Sequence, residues 1–189
     1  MHLIERNDQV ERIFLPWRLP LGSAYEAYKG HVCRVLNFTC ALLDQQDDDL
    51  NSYGKPQEIE DRIAVAACFH DVGIWLNKTM HYLDPSRAHA AQWLDERGLN
   101  DWAPEVDRMI EYHHKLSVYT SDHASLVEAF RRADLVDVTL GMQASGLPKP
   151  FVSSVKKAFP DHGVHWALAK GLSGYMVTHP WNPLPMMRK

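Results

Sequence analysis

The chain has 189 residues, 46% of them hydrophobic and 23% charged, with a formal net charge of −4. That balance suits one globular domain with one sizeable core and argues against a basic platform for a nucleic-acid polymer. No apolar run approaches the roughly 20 residues of a membrane span, and Met1 to Glu11 is too polar for a secretory h-region, so a cytoplasmic protein with no membrane attachment is expected.

Three cysteines, Cys33, Cys40 and Cys68, lie in apolar surroundings without CxxC spacing, which reads as buried free thiols in a reducing compartment. Eleven histidines is a high count for this length. Ile4 to Leu15 reads as a short helix, broken by Pro16, Pro20 and Gly22. Ser23 with Glu26 has the spacing of a capping box and opens a helix to about Leu43, with Val32, Val35, Leu36, Thr39 and Leu42 at helical spacing and His31 in its middle. Residues 44–57 read as a loop.

Glu58 to His70 has the wide apolar surface of a central helix, and Gly73 is placed to end or kink it. Ser86 suits the N-cap of a helix from Arg87 to Arg97, stopped by Gly98, with His89 in its first turn. Asp101 would cap a helix from Trp102 to His114, with Pro104 tolerated near its start. Ser125 to Leu140 is strongly helical and carries Asp134 and Asp137 one turn apart. Short helices follow near 151–159 and 164–176, and the tail from Thr178 reads as extended. Nothing alternates like a strand, so the expectation is an all-α single domain over 1–189, with a C-terminal helical extension from about 150.

The stretch Ala66-Ala67-Cys68-Phe69-His70-Asp71 ends an apolar run in an imidazole and a carboxylate. Burying that pair requires a partner, and a divalent metal is one. The other reading is a helix end facing the surface, with His70 capping carbonyls and Asp71 in water. His31, His89, His113, His114 and Asp134 also lie within or beside apolar helical patterns, and a bundle builds a metal site from inward side chains on separate helices.

Three segments carry a family likeness: Tyr28-Lys29-Gly30-His31-Val32-Cys33-Arg34-Val35, Ala66-Ala67-Cys68-Phe69-His70-Asp71-Val72-Gly73, and Phe130-Arg131-Arg132-Ala133-Asp134-Leu135-Val136-Asp137. Their order, over about residues 23–140, resembles the HD-domain superfamily of metal-dependent phosphohydrolases, an all-α helical bundle. The resemblance implies that His31, His70, Asp71 and Asp134 hold a divalent metal: Mn, Fe, Co, Ni, Zn or Mg. Asp134 follows a small residue, as the family's last ligand usually does. Asp137 would then orient a ligand, bind substrate or sit as a solvated helix charge.

Ile110-Glu111-Tyr112-His113-His114 resembles the Ile-x-x-His-His run of the HD-GYP group, whose following Asp-Gly-x-Gly-Tyr-Pro is absent here, so hydrolysis of cyclic dinucleotides is not expected. A second ion would draw on His113, His114 and His89, with Asp71 as the bridge. Adjacent helical residues point about 100° apart, which suggests one of His113 and His114 as ligand and the other as a substrate or supporting group. Many HD hydrolases carry lysine where this chain has Ile74, followed by Trp75. Lys78, Lys115, Arg131 and Arg132 are the cations that can take its place, and each also reads as a solvated helix charge. Tyr25, Tyr28, Trp75 and Tyr82 read as core or pocket wall, and His165 as packing or one side of the site.

The expected activity is hydrolysis of a small phosphomonoester or phosphodiester, a nucleotide among the candidates, with His113, His114 and Lys115 as catalytic groups and one or two metal ions per chain. The alternatives are a di-iron oxygenase in the same pocket and a non-catalytic module that senses a nucleotide or binds a partner. A homodimer is left open.

Overall fold

The computed structural model describes residues 1–46, 53–163 and 181. Among these residues there is helix and no strand. The helices are α1 (Asp8–Phe14), α2 (Arg18–Leu21), α3 (Tyr25–Leu43), α4 (Pro56–Phe69), α5 (Val72–Leu76), α6 (Leu83–Asp95), α7 (Ala103–Tyr112), α8 (Ala124–Val138) and α9 (Lys149–Ala158). None of the described helices is long and apolar enough to cross a membrane.

The architecture is built around α3 and α4. α3 is free of proline, and its 19 residues span about 28 Å. It packs mainly against α8 on one side and α4 on the other, while α7 closes the space between α4 and α8. α4 is buried without interruption from Ile63 to Phe69, so it is wrapped on all sides. Ile63, Val65 and Phe69 each contribute about 1.5–3 kcal/mol through burial, and that apolar mass is what can hold a cluster of charged groups inside the fold.

Several helix starts depart from the sequence reading. α1 begins at Asp8, because the Asn7 side chain accepts from the amides of Gln9 (2.9 Å) and Val10 (3.2 Å). Asn7 also donates to Glu60 at 2.8 Å, which ties α1 to α4. Ser23 does not cap α3. Residues 18–24 already wind as short helical turns, so the chain enters α3 at Tyr25 in helical conformation and no side chain is needed there. Ser86 is not an N-cap either. α6 starts three residues earlier at Leu83, and Ser86 is buried with its hydroxyl accepting from the Gly73 amide at 3.0 Å. Asp101 lies in a 3-10 turn (Asn100–Trp102), and α7 begins at Ala103 without a side-chain cap.

α4 ends at Phe69 and the chain restarts as α5 at Val72, so the break falls on His70 and Asp71. Gly73 lies inside α5. A Cβ there would meet the Tyr82 carbonyl at 2.6 Å, so its glycine serves a close approach between α5 and α6 and does not end a helix. The expected helix at 164–176, the tail from Thr178 and His165 lie outside the described residues. Cys33, Cys40 and Cys68 are free thiols, and burial pushes Cys33 up to about 12.

Candidate metal centre

Four helix segments deliver the cluster. His31 comes from the middle of α3, His70 and Asp71 from the α4–α5 break, His113 and His114 from the end of α7, and Asp134 from α8. His31, His70, Asp71, His113 and Asp134 are each 3% exposed or less. The ligand-type atoms fall in two overlapping groups, His31–His70–Asp71 and Asp71–His113–His114, each with its atoms within 4.8 Å of one another.

Backbone and carboxylate acceptors fix the three buried imidazoles. His70 Nδ1 donates to the Ala67 carbonyl at 2.7 Å, and His113 Nδ1 to the Ile110 carbonyl at 2.6 Å. His31 Nδ1 donates to Asp137 Oδ2 at 2.7 Å. With Nδ1 donating backward, each ring turns its Nε2 toward the centre, the atom a metal would take. His31 Nε2 and His70 Nε2 lie 2.9 Å apart. With both Nδ1 atoms donating elsewhere, a contact this short needs a proton or a metal ion between the rings. A proton is a poor remedy at His70, whose pKa burial lowers to about 3.

The carboxylates complete the arrangement. Asp71 Oδ2 lies 3.5 Å from His70 Nε2 and 3.9 Å from His31 Nε2, while its Oδ1 lies 3.4 Å from His113 Nε2 and 4.0 Å from His114 Nε2. Asp134 Oδ1 is 3.7 Å from His31 Nε2 and 3.8 Å from His70 Nε2, and its Oδ2 is 3.4 Å from His114 Nδ1. Donors bound to one ion at about 2.1 Å lie about 3–3.5 Å from each other, so a cluster on this scale needs little adjustment to hold one. Asp71 Oδ1, Asp134 Oδ1 and His113 Nε2 are buried without a hydrogen-bond partner. Orphaned acceptors of this kind are expensive unless a cation satisfies them. These buried His and Asp groups can hold a metal ion.

Electrostatics separate the two carboxylates. Burial raises Asp71, but the surrounding His70, His113 and His114 outweigh it and hold the carboxyl well below its usual range. Asp134 is raised to about 6, by burial first, against the pull of His113 and His31. Burial lowers His113 too, but the facing Asp71 more than compensates and its pKa rises. His114 is lowered well below the usual value by burial and by His113. Tyr82 lies against the same centre, and burial, the Asp71 and Asp134 charges and a hydrogen bond to Asp71 keep its hydroxyl protonated.

His89 is not brought to the centre. Its Nε2 is 2.9 Å from Asn77 Oδ1, and it belongs to neither ligand group. Asp137 is buried, with His31 on one oxygen and Arg34 on both, so it orients a histidine and is not a solvated charge. Among the replacement cations, Arg131 is held by Glu128 and the Lys115 carbonyl, Arg132 by the Ser145 carbonyl, and Lys78 is exposed. Lys115 lines a cleft of about 650 Å³ that shares Tyr82 with the centre but none of its His or Asp groups, and is also lined by Arg87, Tyr112, Tyr119, Asp84 and Glu111. The Tyr82 ring lies 6.3 and 6.2 Å from the His113 and His114 rings. Tyr25 and Tyr28 pack on Phe14, and the Tyr28 hydroxyl donates to the Cys68 carbonyl at 2.7 Å, so both belong to the core.

The sequence reading passed over Arg34. It is 1% exposed and grips Asp137 through Nε (2.5 Å) and Nη2 (2.9 Å). Its signal was present: a cation three residues after His31, on the same face of an otherwise apolar helix. Comparison with protein-family models, with curated proteins and with solved structures found no match to this chain.

Proposed function

We propose that this protein is a metal-dependent phosphohydrolase acting on a small phosphomonoester or phosphodiester. The observation that carries the metal half of the reading is the meeting of two overlapping ligand groups, His31–His70–Asp71 and Asp71–His113–His114, with orphaned Asp71 and Asp134 oxygens among them. The phosphoester half rests on the order of His31, His70-Asp71 and Asp134, which resembles the HD superfamily, and on Lys115 in the neighbouring cleft.

His31, His70, Asp71 and Asp134 would hold the ion. A bound divalent ion supplies a water of lowered pKa and neutralises charge on phosphoryl oxygens. Asp71 offers its second oxygen to His113 and His114, which makes it the shared ligand if two ions bind. His114 is the solvent-facing member of the cluster, with its side chain 25% exposed, so a substrate meets it first. Held neutral, that imidazole suits accepting a proton or binding metal better than donating to a leaving oxygen. Lys115 in the cleft can contact phosphate, while Arg87 is held by Asp107 and Asp84 and Glu111 add negative charge, which favours a substrate of modest negative charge.

The Asp71–His113–His114 group also supports a second reading, a di-iron oxygenase. The test is to measure metal content after purification without added metal, then screen phosphorylated metabolites with Mn, Fe, Co, Ni, Zn and Mg. Release of inorganic phosphate that depends on metal and is lost in Asp71→Ala supports the hydrolase. Two coupled irons with no phosphate release from any substrate would replace it with the oxygenase.

A further inference from the structure

Arg34 is buried far beyond what a helix charge needs, and its contacts run in two directions. Toward the centre, Nε and Nη2 take both oxygens of Asp137, whose Oδ2 in turn receives His31 Nδ1 at 2.7 Å. Away from it, Nη1 donates to the carbonyls of Phe159 (3.0 Å) and Pro160 (3.2 Å), and Nη2 lies 3.6 Å from Asp161. Hydrogen bonds take four of the five guanidinium N–H groups, and the Asp161 carboxylate lies near the fifth. The segment after α9 therefore ends on the same side chain that orients a candidate ligand.

A second feature marks the same junction. Gly30, one residue before His31, sits in the first half of α3, where glycine costs about 1 kcal/mol relative to alanine. A Cβ at Gly30 would meet the Pro160 carbonyl at 2.9 Å and Arg34 Nη1 at 3.3 Å. The glycine leaves the space in which residues 159–161 seat against α3.

We propose that Arg34 is a positioning residue that links the docking of residues 159–161 to the orientation of the His31 imidazole. With both carboxylate oxygens gripped, the plane of Asp137 is fixed and its Oδ2 stays on His31 Nδ1, which keeps Nε2 aimed at the centre. Loosening the grip lets the carboxylate turn. Interactions that orient metal-binding histidines in this way are worth about 10–100-fold in metal affinity. The link to affinity rests on the metal reading, but the link to the imidazole does not.

Two measurements on the full chain test it separately. Long-range proton–nitrogen NMR of the imidazoles in the metal-free protein reports which nitrogen of His31 carries the proton. Cobalt(II) titration followed by its visible absorption reports affinity. In the wild type, His31 is expected as a single Nδ1–H form. Arg34→Met is expected to mix the forms and weaken cobalt about tenfold or more. Gly30→Ala, which crowds the Pro160 carbonyl and Arg34 Nη1 but keeps the arginine, should shift both readouts in the same direction by less. If Arg34→Met does not fold, Arg34→Lys, which cannot grip two oxygens, and Gly30→Ala carry the test. An unchanged His31 form in the folded variants overturns the inference while leaving the metal reading standing. Failure of the wild type to bind cobalt removes the metal reading while the NMR still decides the role of Arg34.

Discussion

The Nε2 atoms of His31 and His70 lie 2.9 Å apart, and the Nδ1 of each ring donates to a partner behind it: Asp137 for one, the Ala67 carbonyl for the other. At this scale the centre competes with protons for any metal. Asp134 has the revealing value, about 6 in the metal-free chain. The raised value means the buried acid is protonated below pH 6, and a metal must displace that proton. Apparent affinity should therefore fall as pH drops through about 6, as a zinc or cobalt titration between pH 5 and 8 would show; a flat profile would place Asp134 outside the centre. His89 offers the contrasting control. Paired with Asn77 away from the cluster, it should leave metal content unchanged in His89→Ala.

At the scale of elements, the α4–α5 break delivers His70 and Asp71, and Gly73 lets α5 lie against α6. The Cβ of Gly73→Ala would press on the Tyr82 carbonyl, which is backbone and cannot swing aside. The expected cost is about 1–3 kcal/mol in urea unfolding, accompanied by weaker metal binding because Tyr82 lines the centre. Asn7→Ala should lower stability by about 0.5–2 kcal/mol through loss of the α1 cap, with metal affinity unchanged. These two elements also show what the sequence makes legible. Periodic apolar spacing exposes α3, α4 and α8 and places His31, the His70-Asp71 pair and Asp134 on them, because those helices are long and buried. Capping rules fail at Ser23, Ser86 and Asp101, because the preceding turns are already helical or the serine is needed by another helix. Gly73 reads as a helix stop, since a close approach to a helix distant in sequence leaves no local mark. His89 looks like a ligand for the same reason: only the packing of α6 shows that its imidazole meets Asn77. Arg34 is easily passed over, because the acceptors that bury it lie more than 100 residues away.

For the whole molecule, a ring of helices closes around α3 and α4 and carries a cluster of His and Asp groups at its heart. Such a fold is less stable without a cation, because the orphaned acceptors remain. Metal at about 100 times its dissociation constant adds about 2.7 kcal/mol, which for a chain of this size raises Tm by about 5–10 °C; a chelator should reverse the shift in a thermal melt. Asp71 is proposed to be a ligand of this centre, and elemental analysis of purified wild type beside Asp71→Ala tests that role most directly. At least one divalent ion is expected per wild-type chain and almost none in a variant that remains helical by circular dichroism. Equal metal content in the two proteins, or none in the wild type after incubation with each candidate ion, would contradict it.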